Sequence, residues 1–322
     1  MKAFHENRTY PSTLAFQTFV SRNIDFLAHW HHDLEVVYVF EGSIRMGINS
    51  ETRILHAGDL AVCSSGDIHY YDSKDSSSTI MIAIFNPALI GAPGGWPLHR
   101  RLTSPFLHRG LVPLQRPEVV AEPIDEDEGK PVAGIGVATE ADGAADVEAD
   151  IEAHIALQPP YTDPADHLAA IMMELLREYR TKSACYEQVM TGLLHQLSGL
   201  ILRHMPGEAV DPRRDKRRIT NMKIMQEVLE YLDANYMHPI TLADAAREAN
   251  MSLFHFSRFF KSISGMSYVA YLNRIRVNQA EHLLRSTDKS ILDIALECGF
   301  SNIRTFNRVF KQLKERTPSE LR

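Results

Sequence analysis

The spacing of hydrophobic positions divides the chain into two regimes. Between Leu14 and about residue 98 the apolar residues come in short runs, Leu14–Val20, Leu34–Phe40, Ser43–Ile48, Asp59–Cys63 and Thr79–Phe85. These runs are rich in β-branched and aromatic residues and are separated by Gly, Asp, Asn and Ser, the punctuation of strands and turns. Strands this short and this closely spaced predict a small antiparallel barrel or jelly roll. From Pro164 the apolar period lengthens to that of a helix. Leu168, Ile171, Met172, Leu175 and Leu176 form a stripe within a helix predicted over Pro164–Lys182. Val189, Leu193, Leu197, Leu200 and Ile201 form another within Tyr186–His204. The short connection between them predicts an antiparallel helical hairpin.

Further on, one pattern is written twice. Thr241 to Ser252 aligns without a gap against Ser290 to Ser301. Each copy opens on a hydroxyl residue with Asp244 or Asp293 three places on, the arrangement that satisfies the orphan amides of a helix start. After about two helical turns comes a turn, at Asn250 or Cys298-Gly299, and then a second hydroxyl residue, Ser252 or Ser301, expected to cap a new helix. That helix carries Phe256-Ser-Arg-Phe-Phe-Lys261 in the first copy and Phe306-Asn-Arg-Val-Phe-Lys311 in the second, with one extra residue before the second. A capped helix, tight turn and second capped basic helix is the layout of a helix-turn-helix, and two are present. Between them Tyr268–Arg285 holds neither Gly nor Pro and offers Val269, Leu272, Ile275, Ala280, Leu283 and Leu284 as an apolar face. A rod of roughly 27 Å results. With its flanking turns it would hold two recognition helices about one DNA turn apart, roughly 34 Å, on one face of a duplex.

This last third resembles the DNA-binding domain of AraC/XylS-type transcription regulators, down to Ala245 and Ala295 in the first helices, Gly299-Phe300, and the closing Thr317-Pro-Ser-Glu-Leu-Arg322. It departs from that pattern at Ser267, where a proline is usual, and at Arg316, where a glycine is common. The resemblance implies that the first unit reads DNA through Leu253, Phe254, Ser257 and Arg258, and the second through Asn302, Ile303, Arg304, Thr305 and Arg308. Phe256, Phe259, Phe260, Phe306 and Phe310 recur at helical spacing and are expected in the core.

The strand region holds a second spacing pattern: His29-x-His31, Glu35 and Gly42, then Gly58, Ser64-x-Gly66 and His69. It resembles the two signature motifs of cupins, with Ser64 in place of the usual proline and Ser73 in place of the usual Asn. Residues two apart on a strand share a face, so His29, His31 and Glu35 converge and His69 supplies a fourth group. As the resemblance has it, these four bind a small-molecule effector, a sugar by family analogy. The same set is also one that holds a divalent metal. Trp30 and His32 fall on the opposite face, Trp30 as packing beneath the barrel. His5, His56, His99, His108 and His154 are expected at the surface.

Charge sharpens the division. From Arg213 onward there are 19 Lys and Arg against 12 Asp and Glu, a net of +7; the preceding residues hold 15 against 29, a net of −14, giving the −7 of the whole chain. A basic end on an acidic protein is the footprint of a segment that meets phosphate. Cys63, Cys185 and Cys298 show no paired spacing and read as free thiols in a reducing compartment. With neither a signal-like nor a membrane-length apolar run, the protein is expected to be cytoplasmic, with no membrane partner.

The expected fold class is therefore α+β multidomain. Its parts are a cupin-like effector domain over 1–116, an acidic mobile insertion over 117–161 with a short helix near Asp146–Leu157, and a helical hairpin over 162–205 suited to dimerisation. A linker over 206–218 leads to the AraC-type domain with its two helix-turn-helix motifs over 219–322. The expected function is an effector-responsive, sequence-specific regulator that activates carbohydrate-related genes. Its partners would be double-stranded promoter DNA, a small-molecule effector, a second copy of the chain and RNA polymerase. The rival is a metal-dependent cupin enzyme, a dioxygenase or isomerase, fused to a DNA-binding tail; the regulator reading has no catalytic residues.

Overall fold

The structure, a computed structural model, describes Tyr10 and residues 14–98, 100–110 and 163–321. The acidic stretch 117–161, its expected short helix, and His5, His99 and His154 lie outside the described residues.

The strands are β1 (Phe16–Arg22), β2 (Phe26–His29), β3 (Leu34–Ile48), β4 (Glu51–His56), β5 (Leu60–Cys63), β6 (His69–Asp72), β7 (Ser78–Phe85), β8 (Arg100–Leu102) and β9 (Phe106–Leu107). One path runs β1-β7-β3-β5-β9, while β4 and β6 pair with the far half of β3 and β2 pairs with β6. The two expected strands 34–40 and 43–48 are thus one bent strand. Its first half pairs with β7 and β5, its second with β4 and β6, so β3 turns the corner of the barrel. Gly42 makes the corner possible: its φ is +73°, and a Cβ there would lie 1.8 Å from the Ser77 carbonyl oxygen. Alternation along β3 sends Val37, Val39, Ile44 and Met46 into the barrel interior with Ile80, Ile82 and Ile84, and sends Leu34 and Val36 outward.

The outward row is covered by the hairpin, α1 (Pro164–Thr181) and α2 (Tyr186–His204). Asp163 caps α1 by accepting from the Ala165 amide at 2.8 Å. The α1 stripe is the expected one. On α2 the buried row is Met190, Leu194, Leu197, Leu200 and Ile201, while Val189 is 44 % exposed and Leu193 only partly buried. The stripe is offset because it must meet Phe16, Leu34, Val36, Leu60, Val62 and Phe85, and the face of that sheet sets its azimuth.

The stretch expected as a linker is structured. β10 (Gly207–Ala209) pairs with β8, and α3 (Pro212–Asn235) begins directly after it. The remaining helices are α4 (Leu242–Glu248), α5 (Leu253–Ser264), α6 (Tyr268–Ser286), α7 (Ile291–Glu297), α8 (Ile303–Lys314) and α9 (Pro318–Leu321). Thr241 and Asp244 close a capping box on α4, Ser252 caps α5, and Ser290 caps α7. The second recognition helix differs from expectation. Asn302, not Ser301, accepts from the Thr305 amide at 2.8 Å, because the extra residue of the second copy moves the cap by one. Ser267, the departure from the proline pattern, caps α6 through the Ala270 amide. Val269 is 60 % exposed and leaves the apolar face of α6, whose buried row is Tyr268, Tyr271, Leu272, Ile275, Val277, Ala280 and Leu284.

Barrel and first helix-turn-helix share a core. Leu27, Ala28, Trp30, Ile68 and Tyr70 on the outer face of β2 and β6 pack with Met225, Val228, Phe256, Phe260 and Tyr271. Trp30 therefore faces the reader rather than lying beneath the barrel. The Tyr271 hydroxyl donates to the Ala28 carbonyl at 2.6 Å, Gln226 Nε2 to the Gly66 carbonyl at 2.9 Å, and Arg274 pairs with Asp25.

Candidate functional site

The four residues singled out by spacing do come together inside the barrel. His29 ends β2, His31 follows two places on, Glu35 starts β3, and His69 begins β6, directly opposite His29 in register. Ring centroids lie 4.1 Å apart for His29 and His69, 5.0 Å for His31 and His69, and 5.9 Å for His29 and His31. Exposure is 2 % for His29 and His31, 1 % for Glu35 and 0 % for His69, so the centre is sealed from solvent.

Each imidazole is oriented from behind by a backbone carbonyl. His29 Nδ1 bonds to Leu27 O at 2.9 Å, His31 Nδ1 to Asp33 O at 3.0 Å, and His69 Nδ1 to Asp67 O at 3.0 Å. A carbonyl only accepts, so each Nδ1 carries a proton and each ring turns its Nε2 toward the centre. His31 Nε2 then lies 3.2 Å from Glu35 Oε2, and His69 Nε2 lies 3.5 Å from Glu35 Oε1 without a hydrogen bond among the described residues. The ligand atoms of His29, His31 and His69 lie within 4.8 Å of one another, a grouping that could hold a metal ion.

Burial alone would raise Glu35, yet the neighbouring His69 and His31 hold its carboxyl well below the usual range. Burial pushes His29 well below the ordinary imidazole value, with His69 and His31 adding to the effect. Burial also works against His69, but Glu35 overrides it and raises that ring.

Two residues here were missed by the reading of the sequence. Tyr71 donates its hydroxyl to Glu35 Oε1, and Cys63, opposite Glu35 on β5, brings its thiol into one ligand-sized group with Glu35 and His69, all atoms within 4.8 Å. Burial and Glu35 push the Cys63 thiol well up. Tyr71 was in principle findable, since it lies two places from His69 on the same strand face. Cys63 needed the β3–β5 register. Of the other histidines, His32 and His56 are exposed and His108 is half-buried against Asp59 at 3.0 Å.

The second surface is the one whose residues are expected to meet DNA. Leu253 (52 % exposed), Phe254 (73 %), Ser257 and Arg258 stand out from α5, with the Arg258 guanidinium 5.6 Å from the Phe254 ring centre. On and before α8, Asn302, Arg304 and Arg308 are exposed, whereas Ile303 and Thr305 are half-buried. Neither Arg304 nor Arg308 has an ion-pair partner among the described residues. Phe256, Phe260, Phe306 and Phe310 are buried, as expected of core, and Phe259 partly so. Arg276 on α6 donates to the carbonyls of Tyr236 and His238, both at 2.8 Å, and Lys314 on α8 pairs with Glu281 of α6 at 2.5 Å, so the connecting helix is fastened to both units.

A cupin-type barrel joined to a paired helix-turn-helix defines a DNA-binding protein with a second, enclosed site. Residues 16–85 match the cupin domain family and residues 245–322 a helix-turn-helix domain family. Regulatory protein PocR of Salmonella typhimurium is 31 % identical over 130 residues, 40 % of this chain and 43 % of PocR. Regulatory protein SoxS of Escherichia coli K12 is 29 % identical over 104 residues, 32 % of this chain and 97 % of SoxS. A solved AraC-type DNA-binding domain-containing transcriptional regulator from Chromobacterium violaceum is 32 % identical over 31 % of this chain and 89 % of that one, with a TM-score of 0.30. The chain spans less than half the length of PocR, and 47 % of the regulator YkgA of Escherichia coli K12. Its last third is thus similar in sequence to the AraC-type DNA-binding domains of transcription regulators, and residues 16–85 to the cupin domain. No helix among the described residues is long and apolar enough to cross a membrane.

Proposed function

We propose that this chain is a sequence-specific regulator of promoter DNA whose binding depends on what occupies the barrel. The observation that carries the reading is the alternation of β2 and β6. His29 and His69 point into the centre, while their neighbours Ala28 and Trp30, and Ile68 and Tyr70, point out into the core of the first helix-turn-helix. A shift of either strand that re-aims an inner residue moves an outer one in the reader.

The occupant that suits the centre is a divalent transition-metal ion. His29, His31 and His69 through Nε2, with Glu35, would hold it, and the carbonyl-bound Nδ1 atoms are the kind of support that ligating histidines receive. When bound it supplies the positive charge that the facing lone pairs of Glu35 and the imidazoles lack. A sugar suits this position less, because the four side chains close on one another. An activator role is supported by a relative from Klebsiella pneumoniae named HTH-type transcriptional activator RhaS, 32 % identical over 98 residues, and would require contact with RNA polymerase. Self-association would use the exposed side of the hairpin, including Met173 and Val189, since the inner stripe is spent on the barrel. Relatives that cover the reader are named as regulators, and the chain is a regulator rather than an enzyme.

Elemental analysis of the purified chain, followed by promoter binding before and after chelation, tests this. About one metal ion per chain is expected, reduced in Glu35→Gln and His69→Ala, with promoter affinity altered on its removal. A folded, metal-free chain whose promoter affinity ignores added metal would reject the metal as signal.

A further inference from the structure

Outside the histidine centre, a polar cavity of about 340 Å³ lies at the seam between barrel and reader. Its volume is at the small end of ligand pockets, which span about 300–1,000 Å³. The β5–β6 turn contributes Ser64, Ser65 and Asp67; β8 contributes Arg100 and Arg101; and one residue, Arg218, comes from α3. Trp96 closes an apolar side, its segment held to the turn by Trp96 N donating to Ser65 Oγ at 2.9 Å.

The charges around the cavity divide into satisfied and unsatisfied groups. Arg101 is paired with Glu208 and, at 3.2 Å, with Asp215. Glu51 is paired with Arg53 at 2.9 Å. Arg100 donates to the carbonyls of Leu202 and Gly207, at 3.0 and 3.3 Å, and keeps its charge uncompensated by any carboxylate among the described residues. Asp67 accepts from Asn49 Nδ2 at 2.7 Å and from the Ser64 amide at 2.9 Å. Arg218 is half-buried and makes neither a hydrogen bond nor an ion pair among the described residues; burial raises the carboxyl of Asp67 and the Arg218 charge partly offsets that. A guanidinium offers five donors in a planar fork that matches a carboxylate, and no protein group among the described residues takes those of Arg218. Asp67, Ser64 and Ser65 present acceptors and hydroxyls close by, which the hydroxyl groups of an occupant can meet and a bare anion cannot.

We propose that this cavity binds a small polyhydroxylated carboxylate, its carboxylate on Arg218 and its hydroxyls on Asp67 and the Ser64–Ser65 turn. The consequence for regulation rests on the reading above; the binding does not. Gly66, in the same turn, donates to the His31 carbonyl at 2.8 Å and accepts from Gln226 of α3, so an occupant would fasten the barrel to α3 beside His69.

Titration calorimetry of the full chain with three probes, D-gluconate, D-glucose and malonate, decides the matter. Gluconate is expected to bind, with glucose and malonate at least about tenfold weaker, since each lacks one half of the recognition. Arg218→Ala should weaken gluconate about tenfold or more and Arg218→Lys by less, in line with the strength of charge-assisted, bidentate contacts. Arg217→Ala, at the exposed neighbouring position, should leave it unchanged. Absence of gluconate binding to the wild type, equal binding by glucose or malonate, or wild-type affinity in folded Arg218→Ala would each overturn the assignment. Promoter binding measured without any probe separates the two readings: its loss from the wild type defeats the regulator, whereas intact promoter binding without gluconate binding defeats this site alone.

Discussion

Arg304 and Glu281 show how differently two charged residues of the same unit are used. Arg304 is exposed two residues past the Asn302 cap and has no ion-pair partner among the described residues, so nothing in the fold accounts for its charge. Arg304→Ala should leave the thermal midpoint unchanged and cost on the order of 1–3 kcal/mol of binding to the specific site if it makes a bidentate guanine contact. Competition between promoter and random duplex checks this, since a phosphate contact would weaken both alike. Glu281, by contrast, is internal glue. Burial pushes its carboxyl up, but Lys314 and Arg285 pull harder and hold it below the ordinary value. A carboxylate depressed in the folded state contributes stability fully above its unfolded value, about 4.3, and loses that contribution as pH falls through the lower folded value. Glu281→Gln should therefore lower stability at neutral pH and flatten the loss on acidification. Parallel acid-unfolding curves for the two proteins would contradict this role.

At the level of elements, the hairpin is part of the barrel's core. Leu194 is fully buried between α1 and the outer face of the sheet, so Leu194→Ala should cost about 2–5 kcal/mol in denaturant unfolding. Val189→Ala, on the exposed side of the same helix, should cost little and serves as the control. The contrast also shows what the sequence could and could not disclose. Caps at Thr241, Ser252 and Ser290 were legible because a cap is a local contract among four residues. The inward set His29, His31, Glu35 and His69 was legible because strand parity is local too. Illegible were features set by a distant partner: Leu193 and Val189 against Met190 and Leu194 on α2, the departure of Val269 from the core, and the approach of Cys63 to Glu35 across β3 and β5. Trp30 is the clearest case. Its outward direction followed from parity, but the surface it meets comes from α3, α5 and α6, some two hundred residues along the chain. The two capped helix pairs were legible through their doubled pattern rather than through any single residue, and the shift from Ser301 to Asn302 marks the limit of that method.

For the molecule as a whole, the decisive element is α6. Its 19 residues span about 28 Å at 1.5 Å per residue. Tyr268, Tyr271 and Leu272 bury one end in the first unit, and Ala280 and Leu284 bury the other in the second. Arg276 and the Lys314–Glu281 pair lock the flanks. Two recognition helices joined in this way cannot adjust their separation, so they require half-sites about 10 bp apart on one face of the duplex. Footprinting on operators with 0, 5 or 10 bp inserted between half-sites tests the arrangement, with Arg258→Ala and Arg304→Ala each expected to erase protection of a different half. Five base pairs should abolish simultaneous protection. Ten should restore the face yet still weaken binding, because the added separation of roughly 34 Å exceeds the reach of the helix. Full protection of both half-sites by the wild type with 5 bp inserted would rule out a rigid two-reader molecule, since half a turn carries one half-site to the far side of the DNA.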